Sequence, residues 1–265
     1  MIGIIYAVLV LCGVGVLCAV LLAVASHYLG IKADERITQL RSYLPGANCG
    51  ACGFAGCDGY AEALAGGGVS TGLCTPGGKD AAEKIAELLG VDAEKMEQRV
   101  AFVHCGADIE DTEKQKAIYD TGDSCKAKSL IYGGPSDCIY GCIGCGDCKD
   151  VCPVDAIVVK NSLARVIPER CIGCGMCVKT CPKHIITLLP NGARIAVACS
   201  NRDKGASVRK ICKVGCIACK KCEKTCNSGE ISVVDNLAVV DYEKDMGTRE
   251  CVEVCPARCI YPMDN

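Results

Sequence analysis

Four cysteines in the run C-x2-C-x2-C-x3-C, Cys142, Cys145, Cys148 and Cys152, recur as a complete set at Cys171, Cys174, Cys177 and Cys181 and again at Cys216, Cys219, Cys222 and Cys226. Pro153 and Pro182 follow the fourth cysteine in the first two copies. Thiolates at this spacing wrap a cubane [4Fe–4S] core. Twenty-six cysteines stand in 265 residues beside no Trp and only two Phe, so inorganic cross-links substitute for much of a conventional core. A disulfide framework needs an oxidising compartment and does not keep so strict a spacing. Zinc ribbons use two C-x2-C pairs across a longer loop, without the x2-x2-x3 run.

The runs belong to an internal repeat. Cys142 to Cys171 is twenty-nine residues, as is Cys152 to Cys181, and the same step carries Cys222 and Cys226 onto Cys251 and Cys255. Between the runs, Ile157 to Lys160, a turn at Asn161-Ser162 and Leu163 to Ile167 read as a β-hairpin. The same form is expected for Ile185 to Leu189, Asn191-Gly192 and Arg194 to Ala198, and once more around Asp235-Asn236. In two-cluster ferredoxins the fourth cysteine of each run ligates the other cluster. One expected set is therefore Cys142, Cys145, Cys148 and Cys181, and its neighbour is Cys171, Cys174, Cys177 and Cys152. A further set is Cys216, Cys219, Cys222 and Cys255.

The fourth repeat is degenerate. Its partner set would need cysteines where the chain has Asp245 and Thr248, and Asn227 replaces the proline. Threonine is a poor substitute for thiolate, so Cys226 and Cys251 are expected without a cluster. Cys138 and Cys212 each precede a run by four residues, an offset of seventy-four apart. They are alternative ligands for the second and fourth sets, or join Cys105, Cys125 and Cys199 around another cluster, or are buried structural thiols; the sequence leaves the three open. Cys259 receives no role.

Nearer the N-terminus, Asn48-Cys49-Gly50-Ala51-Cys52-Gly53-Phe54-Ala55-Gly56-Cys57 with Cys74 supplies a different four-cysteine set, Cys49, Cys52, Cys57 and Cys74. It suits one more [4Fe–4S] cluster, the glycines letting backbone amides approach the sulfides; zinc is the alternative there. Glu35 to Leu44 is expected as a helix ending before Pro45, Asp58 to Leu64 as a short helix, and Lys79 to Glu97 as an amphipathic one.

Met1 to Ser26 carries no charge and is mostly Val, Leu, Ile, Ala and Gly. Twenty-five helical residues span about 37 Å at 1.5 Å each, against a hydrocarbon core of about 30 Å. Ala23-Val24-Ala25 resembles a signal-peptidase site, but the n-region lacks positive charge and the apolar run is too long, so a retained anchor is expected. Lys32, Arg36 and Arg41 then place the body in the cytoplasm and the N-terminus outside. Gly15, Ala19 and Ala23 form a small-residue face, suited to helix approach or simply typical of such spans; Cys12 and Cys18 are apolar fillers. The fold class is thus α+β: a single transmembrane helix at 1–28, an N-terminal 4Fe–4S domain at 32–100, a linker segment at 101–135, a two-cluster ferredoxin-like domain at 136–198 and a second ferredoxin-like domain with one degenerate site at 199–265. No basic stripe interleaved with aromatics points to nucleic acid. No G-x-G-x-x-G between strand and helix points to a bound dinucleotide, and neither NAD nor flavin is expected on this chain.

An anchor, N-C-G-x-C-G-x-x-G-C with a distant cysteine, and then ferredoxin repeats resemble the B subunits of the Rnf complex and of the near-identical Rsx complex. The resemblance covers essentially the whole chain, although the Asp245/Thr248 repeat departs from relatives with all four cysteines there. It implies an electron-transfer subunit, holding about four clusters, of a bacterial inner-membrane translocase that oxidises soluble ferredoxin, reduces NAD⁺ and pumps Na⁺ or H⁺. Its partners would be the other subunits, soluble ferredoxin and membrane lipid. The ferredoxin module at the C-terminus would meet the donor, and the Cys49–Cys74 site would hand electrons on. A Rsx-type relay that keeps a redox-sensing regulator reduced is the alternative. The chain has no nucleophile–base arrangement and one uncharged span, so catalysis and ion passage belong to the assembly.

Overall fold

The computed structural model describes residues 2–29, 34–93, 98–108, 110–111, 122, 124–226, 229–244 and 249–263. Its first helix, α1 (Ile2–Leu29), contains an apolar stretch, Gly3–Ala25, of mean hydropathy 3.0, none of it buried against the rest of the protein. A helix this apolar and this free of protein contact needs a nonpolar medium to cover it.

The next region is a small helical domain. Helices α2 (Glu35–Tyr43), α3 (Cys57–Gly66) and α4 (Gly78–Leu89) enclose Leu40, Tyr60, Leu64 and Ile85, each buried to within 1% of complete. Asp34 starts α2 by accepting from the Arg36 N–H at 3.0 Å. The Tyr60 hydroxyl donates to the Ser70 carbonyl at 2.7 Å, so the large ring is buried with its polar end satisfied. Helix α4 stops at Leu89, short of the Glu97 end read from composition. Gly90 adopts φ +67° and its N–H caps the carbonyls of Ala86 and Glu87, while the Val91 N–H returns to Ala86. Residues 94–97 lie outside the described residues.

Two ferredoxin-type units follow. The first contains β1 (Arg99–Val103), α5 (Cys125–Ser129), α6 (Asp147–Asp150), β2 (Ile157–Lys160), β3 (Leu163–Val166), α7 (Met176–Thr180) and β4 (Ile186–Pro190). The second contains β5 (Ile195–Val197), α8 (Gly205–Ile211), α9 (Lys221–Thr225), β6 (Ile231–Val234), β7 (Leu237–Val240), α10 (Glu250–Glu253) and β8 (Ile260–Pro262). In each unit the outer strands pair antiparallel, β1 with β4 and β5 with β8, and the inner two form a hairpin. An offset of seventy-four residues carries Ile157 to Ile231 and Ile186 to Ile260, the starts of equivalent strands. Both hairpins turn on two left-handed residues, Asn161-Ser162 at φ +50° and +58° and Asp235-Asn236 at +48° and +62°, as a type I′ turn requires.

The hairpin expected from Ile185 to Ala198 does not form. Strands β4 and β5 are separate edges, captured by β1 and β8 respectively, and neither Asn191 nor Gly192 takes a positive φ. The segment is the junction between units. Residues 101–103 and 125–129, read from sequence as part of a linker, instead form most of β1 and all of α5, and both serve the first unit. His104 pins the junction. Burial keeps its imidazole below the usual histidine range despite the bond to Val197, and the neutral ring donates from Nδ1 to the Val197 carbonyl while Nε2 accepts from the Thr187 hydroxyl, each at 2.7 Å.

Candidate iron-sulfur sites

Each ferredoxin run is shaped by left-handed residues that only a short or absent side chain tolerates well. Gly144 and Gly146 flank Cys145 at φ +80° and +102°, and Gly173 and Gly175 flank Cys174 at +65° and +70°. A Cβ on Gly144 would strike the Ser162 backbone, and one on Gly173 the Arg99 carbonyl, so these turns must be glycine to let the loop lie on the strands. Each third cysteine then sits in a one-turn helix: Cys148 in α6, Cys177 in α7 and Cys222 in α9.

Electrostatic neighbourhood shows which thiols lie together. The Cys177 thiol is pushed up to about 11, mainly by burial and then by Cys171, Cys174 and Cys152. The Cys148 thiol is pushed up to about 12, again mainly by burial, with Cys142, Cys125, Cys181 and Cys177 adding to it. Cys152 and Cys181 thus stand beside the opposite run, as ligand exchange requires. The Cys222 thiol rises to about 11 through burial, with Cys216, Cys255 and Cys219 around it. In the helical domain, burial raises Cys74, and Cys57, Cys52 and Cys49 are its neighbours. The neighbours of Cys74, Cys177 and Cys222 thus include every other member of three expected sets, and Cys148 has Cys142 and Cys181 beside it, whereas the thiol that acts on Cys145 is Cys125.

Neighbouring sets lie near one another. Cys174 has Cys49 among its neighbours, and Cys148 has Cys177. Lys179, from α7, donates to the Gly50 carbonyl at 3.4 Å, joining the first unit to the Cys49 loop. Backbone donors reach the sulfurs: Ala101 N–H to Cys171 at 3.4 Å and Ala156 N–H to Cys152 at 3.3 Å. Such bonds stabilise ligand thiolates and tune a cluster's potential.

A bare set of four clustered thiolates is unfavourable, because burial and mutual repulsion keep the thiols protonated. A cationic core reverses that balance and leaves the sulfurs ionised. Among the described residues, no three His, Cys, Asp or Glu side chains are disposed to share one metal ion. The strict ferredoxin spacing of three of the sets, without the long loop of a zinc ribbon, fits a cubane. The four sets fit the group that the spacing implies.

Several side chains support the sites without having drawn notice in the sequence. Asn48 Oδ1 accepts the Cys57 N–H at 2.8 Å, fastening the glycine loop to the first residue of α3. Asp147 accepts from the N–H groups of Cys125 and Lys126 at 2.7 and 3.1 Å and from the Ser124 hydroxyl at 3.0 Å. Burial works against its charge, but these donors outweigh it and hold the carboxyl below the usual range. Asp147 thereby fixes α5, which places Cys125 beside Cys142, Cys145 and Cys148 and not with the other surplus cysteines. Cys259, which received no role, lies 3.6 Å from Cys255. Its thiol hydrogen-bonds to Cys216 and Cys255, which pulls them down to about 6 and about 5, while its own proton is held tightly. Spacing offered one signal for it: Cys255 and Cys259 repeat the four-residue step of Cys138–Cys142 and Cys212–Cys216.

Cys226 and Cys251 are buried to 2% and 0% exposure within the core of the second unit. Burial pushes the Cys251 thiol up to about 12, with the Cys226 thiol as its next-ranked influence. Asp245, Thr248 and Asn227 lie outside the described residues.

Two paired-strand units with exchanged cysteine runs, joined to a helical four-cysteine domain, define a multi-cluster iron–sulfur protein of ferredoxin type. Residues 44–76 match the family described as a putative Fe-S cluster domain, and 141–185 and 170–229 each match a 4Fe-4S dicluster domain. The chain is 40% identical over 247 residues to the B subunit of the Na(+)-translocating ferredoxin:NAD(+) oxidoreductase complex of Acetobacterium woodii, covering 93% of this chain and 74% of that one. It is 41% identical to the proton-translocating counterpart of Clostridium ljungdahlii, covering 93% and 88%. It is 36% identical to the B subunit of the ion-translocating oxidoreductase complex of Methanosarcina acetivorans, covering 95% of each. The chain belongs to this family of ion-translocating oxidoreductase B subunits, the Rnf family.

Proposed function

We propose that this chain is the electron-carrying B subunit of an ion-translocating ferredoxin:NAD⁺ oxidoreductase, anchored in the cell membrane by α1 with its cysteine-rich body on the cytoplasmic side. Lys32, Arg36 and Arg41 beyond the span support that orientation. When bound, [4Fe–4S] clusters supply reversible one-electron transfer without proton movement. We assign Cys49, Cys52, Cys57 and Cys74 to the first; Cys142, Cys145, Cys148 and Cys181 to the second; Cys171, Cys174, Cys177 and Cys152 to the third; and Cys216, Cys219, Cys222 and Cys255 to the fourth.

The observation that carries the reading is the proximity of successive sets: Cys177 is among the thiols that act on Cys148, and Cys49 among those that act on Cys174, while Lys179 of α7 bonds to the Gly50 carbonyl at 3.4 Å. It makes a path from the second set through the third toward the Cys49 loop of the domain next to α1. In the second unit Cys219 is exposed, and the exposed Lys220, Lys221 and Lys224 surround its loop. A basic rim of this kind suits an acidic soluble donor and speeds encounter. The sequence carries no dinucleotide-binding fingerprint, so we assign NAD⁺ reduction to partner subunits.

The test is reduction of the anaerobic, detergent-solubilised full chain by reduced ferredoxin, followed by bleaching of the visible cluster absorbance. Lys220→Glu/Lys221→Glu/Lys224→Glu should slow the second-order rate by about ten- to a hundredfold at low salt, with less effect at high salt. In the assembled complex, Cys49→Ala should abolish ferredoxin-dependent NAD⁺ reduction while the chain still accepts electrons. Full NAD⁺ reduction by Cys49→Ala would sink the proposed direction.

A further inference from the structure

Beyond the four sets, four surplus cysteines meet at the junction of the ferredoxin units. Cys105 follows β1, Cys138 precedes the first run, Cys199 follows β5 and Cys212 ends α8. All four line one cavity of about 70 Å³. The cavities at the second and third sets, lined by Cys142, Cys148 and Cys181 and by Cys152, Cys171, Cys174 and Cys177, are about 20 Å³ each. The junction therefore offers at least the room that the ferredoxin runs offer. Cys138 is the common neighbour of Cys105, Cys199 and Cys212.

The surroundings are built twice, once by each unit. The Cys142 N–H donates to Cys105 Sγ at 3.5 Å, and the equivalent Cys216 N–H donates to Cys199 Sγ at 3.3 Å. Gly141 and Gly215 stand three residues after Cys138 and Cys212 and lie against them: a Cβ at Gly141 would crowd the Cys138 carbonyl at 3.3 Å, and one at Gly215 would strike Val208, with Cys212 Sγ at 3.5 Å. Asn201 is only 2% exposed, and its polar groups are turned on the site. Its Nδ2 donates to Cys138 Sγ and its N–H to Cys199 Sγ, each at 3.5 Å, while Oδ1 is held by the Asp203 N–H at 2.7 Å. A buried amide oriented onto sulfur makes sense where the sulfur carries charge.

We propose that Cys105, Cys138, Cys199 and Cys212 ligate a fifth [4Fe–4S] cluster between the two ferredoxin units. The proposal rests on the electron-transfer reading above and deepens it, because this site joins the second set to the fourth. Cys105 is tied through its sulfur to Cys142 of the second set, and Cys199 to Cys216 of the fourth. The line of sites then runs unbroken from exposed Cys219 to Cys49. It also accounts for the duplicated Cys-x3-Cys steps, in which each unit lends the first cysteine to the shared site and keeps the second for its own.

The measurement is iron, acid-labile sulfide and zinc per chain on the full-length protein, purified anaerobically in detergent. About twenty irons are expected, four for each of five clusters, and Cys138→Ser/Cys212→Ser should lose about four irons and four sulfides. About sixteen irons in the parent, unchanged in the double variant, would overturn the fifth site and leave the proposed function standing. Zinc in place of iron would overturn both. Asn201→Leu guards against a variant that misfolds: it keeps all four thiols and removes one donor. It should retain about twenty irons and shift one component of the EPR-monitored redox titration to lower potential. A titration identical to the parent's would count against the site.

Discussion

The two ferredoxin units share one backbone plan and differ in the cysteines it carries. In the first, left-handed turns at Gly146 and Gly175 introduce both one-turn helices, and two complete cysteine sets come together. In the second, Lys220 keeps that turn at φ +58°, but Arg249, the equivalent before α10, is right-handed at φ −97°. Elsewhere the plan is kept. The residue three beyond the fourth cysteine is left-handed in all four repeats, at Asp155, His184, Gly229 and Arg258. Strand pairing and turns therefore hold the unit's outline, whereas Arg249 does not take the left-handed turn before α10, and Cys226 and Cys251 pack together as buried thiols.

The largest expected effect separates a ligand from such a filler. Cys174→Ala should remove about four irons from the chain and cut ferredoxin-dependent electron delivery at least a hundredfold. Cys251→Ala should leave the iron content unchanged and cost about 1–2 kcal/mol, the order expected for emptying a small buried site. Iron analysis with denaturant unfolding checks both. Loss of iron from Cys251→Ala would mean that the second unit holds a second cluster after all.

Next comes the bond that holds the two units to one another. His104→Leu removes the donor to the buried Val197 carbonyl and the acceptor for Thr187, which should destabilise the protein by about 1–3 kcal/mol. If the units are mechanically independent, unfolding monitored by cluster absorbance will split into two transitions in this variant. A single transition at unchanged midpoint would show that the junction does not depend on His104.

How much of this was legible in the sequence follows from what sets each feature. The ferredoxin character of the repeats was readable because a cubane imposes a fixed spacing on Cys142 to Cys152 and its copies, and dicluster families match there. The type I′ turns at Asn161-Ser162 and Asp235-Asn236 were readable from local chemistry. The pairing of β1 with β4 and of β5 with β8 was not, since partners about ninety and sixty-five residues apart (Arg99 to Pro190, Ile195 to Pro262) leave no local trace. For that reason Ile185 to Ala198 read as a hairpin, and Arg99–Val103 passed unnoticed as a strand. The roles of Asn201, Asp147 and Cys259 depend on the same long-range contacts.

Asp147 offers a smaller test of the first unit alone, since the position seventy-four residues on in the second unit is Lys221. Asp147→Asn keeps the shape but replaces a charged acceptor of three hydrogen bonds, and should cost about 1 kcal/mol. Cys125 should then react faster with a thiol reagent in the cluster-loaded protein. Unchanged reactivity would mean that α5 is held by other contacts.

The smallest effect has the opposite sign. Lys220 is exposed, and its left-handed backbone costs a side-chain-bearing residue about 1 kcal/mol that glycine avoids. Its ion pair with Glu223 at 3.6 Å lies on the surface and contributes little. Lys220→Gly, which restores the residue used at Gly146 and Gly175, should therefore raise the stability of the second unit by several tenths of a kcal/mol. The same substitution removes one charge from the rim around Cys219, so electron uptake from ferredoxin should slow slightly at low salt. A more stable protein with a slower donor reaction would show that the second unit tolerates backbone strain in order to present a lysine beside its exposed cysteine. A stability gain with no change in that rate would confine the lysine's role to the fold and weaken the basic-rim reading of the donor site.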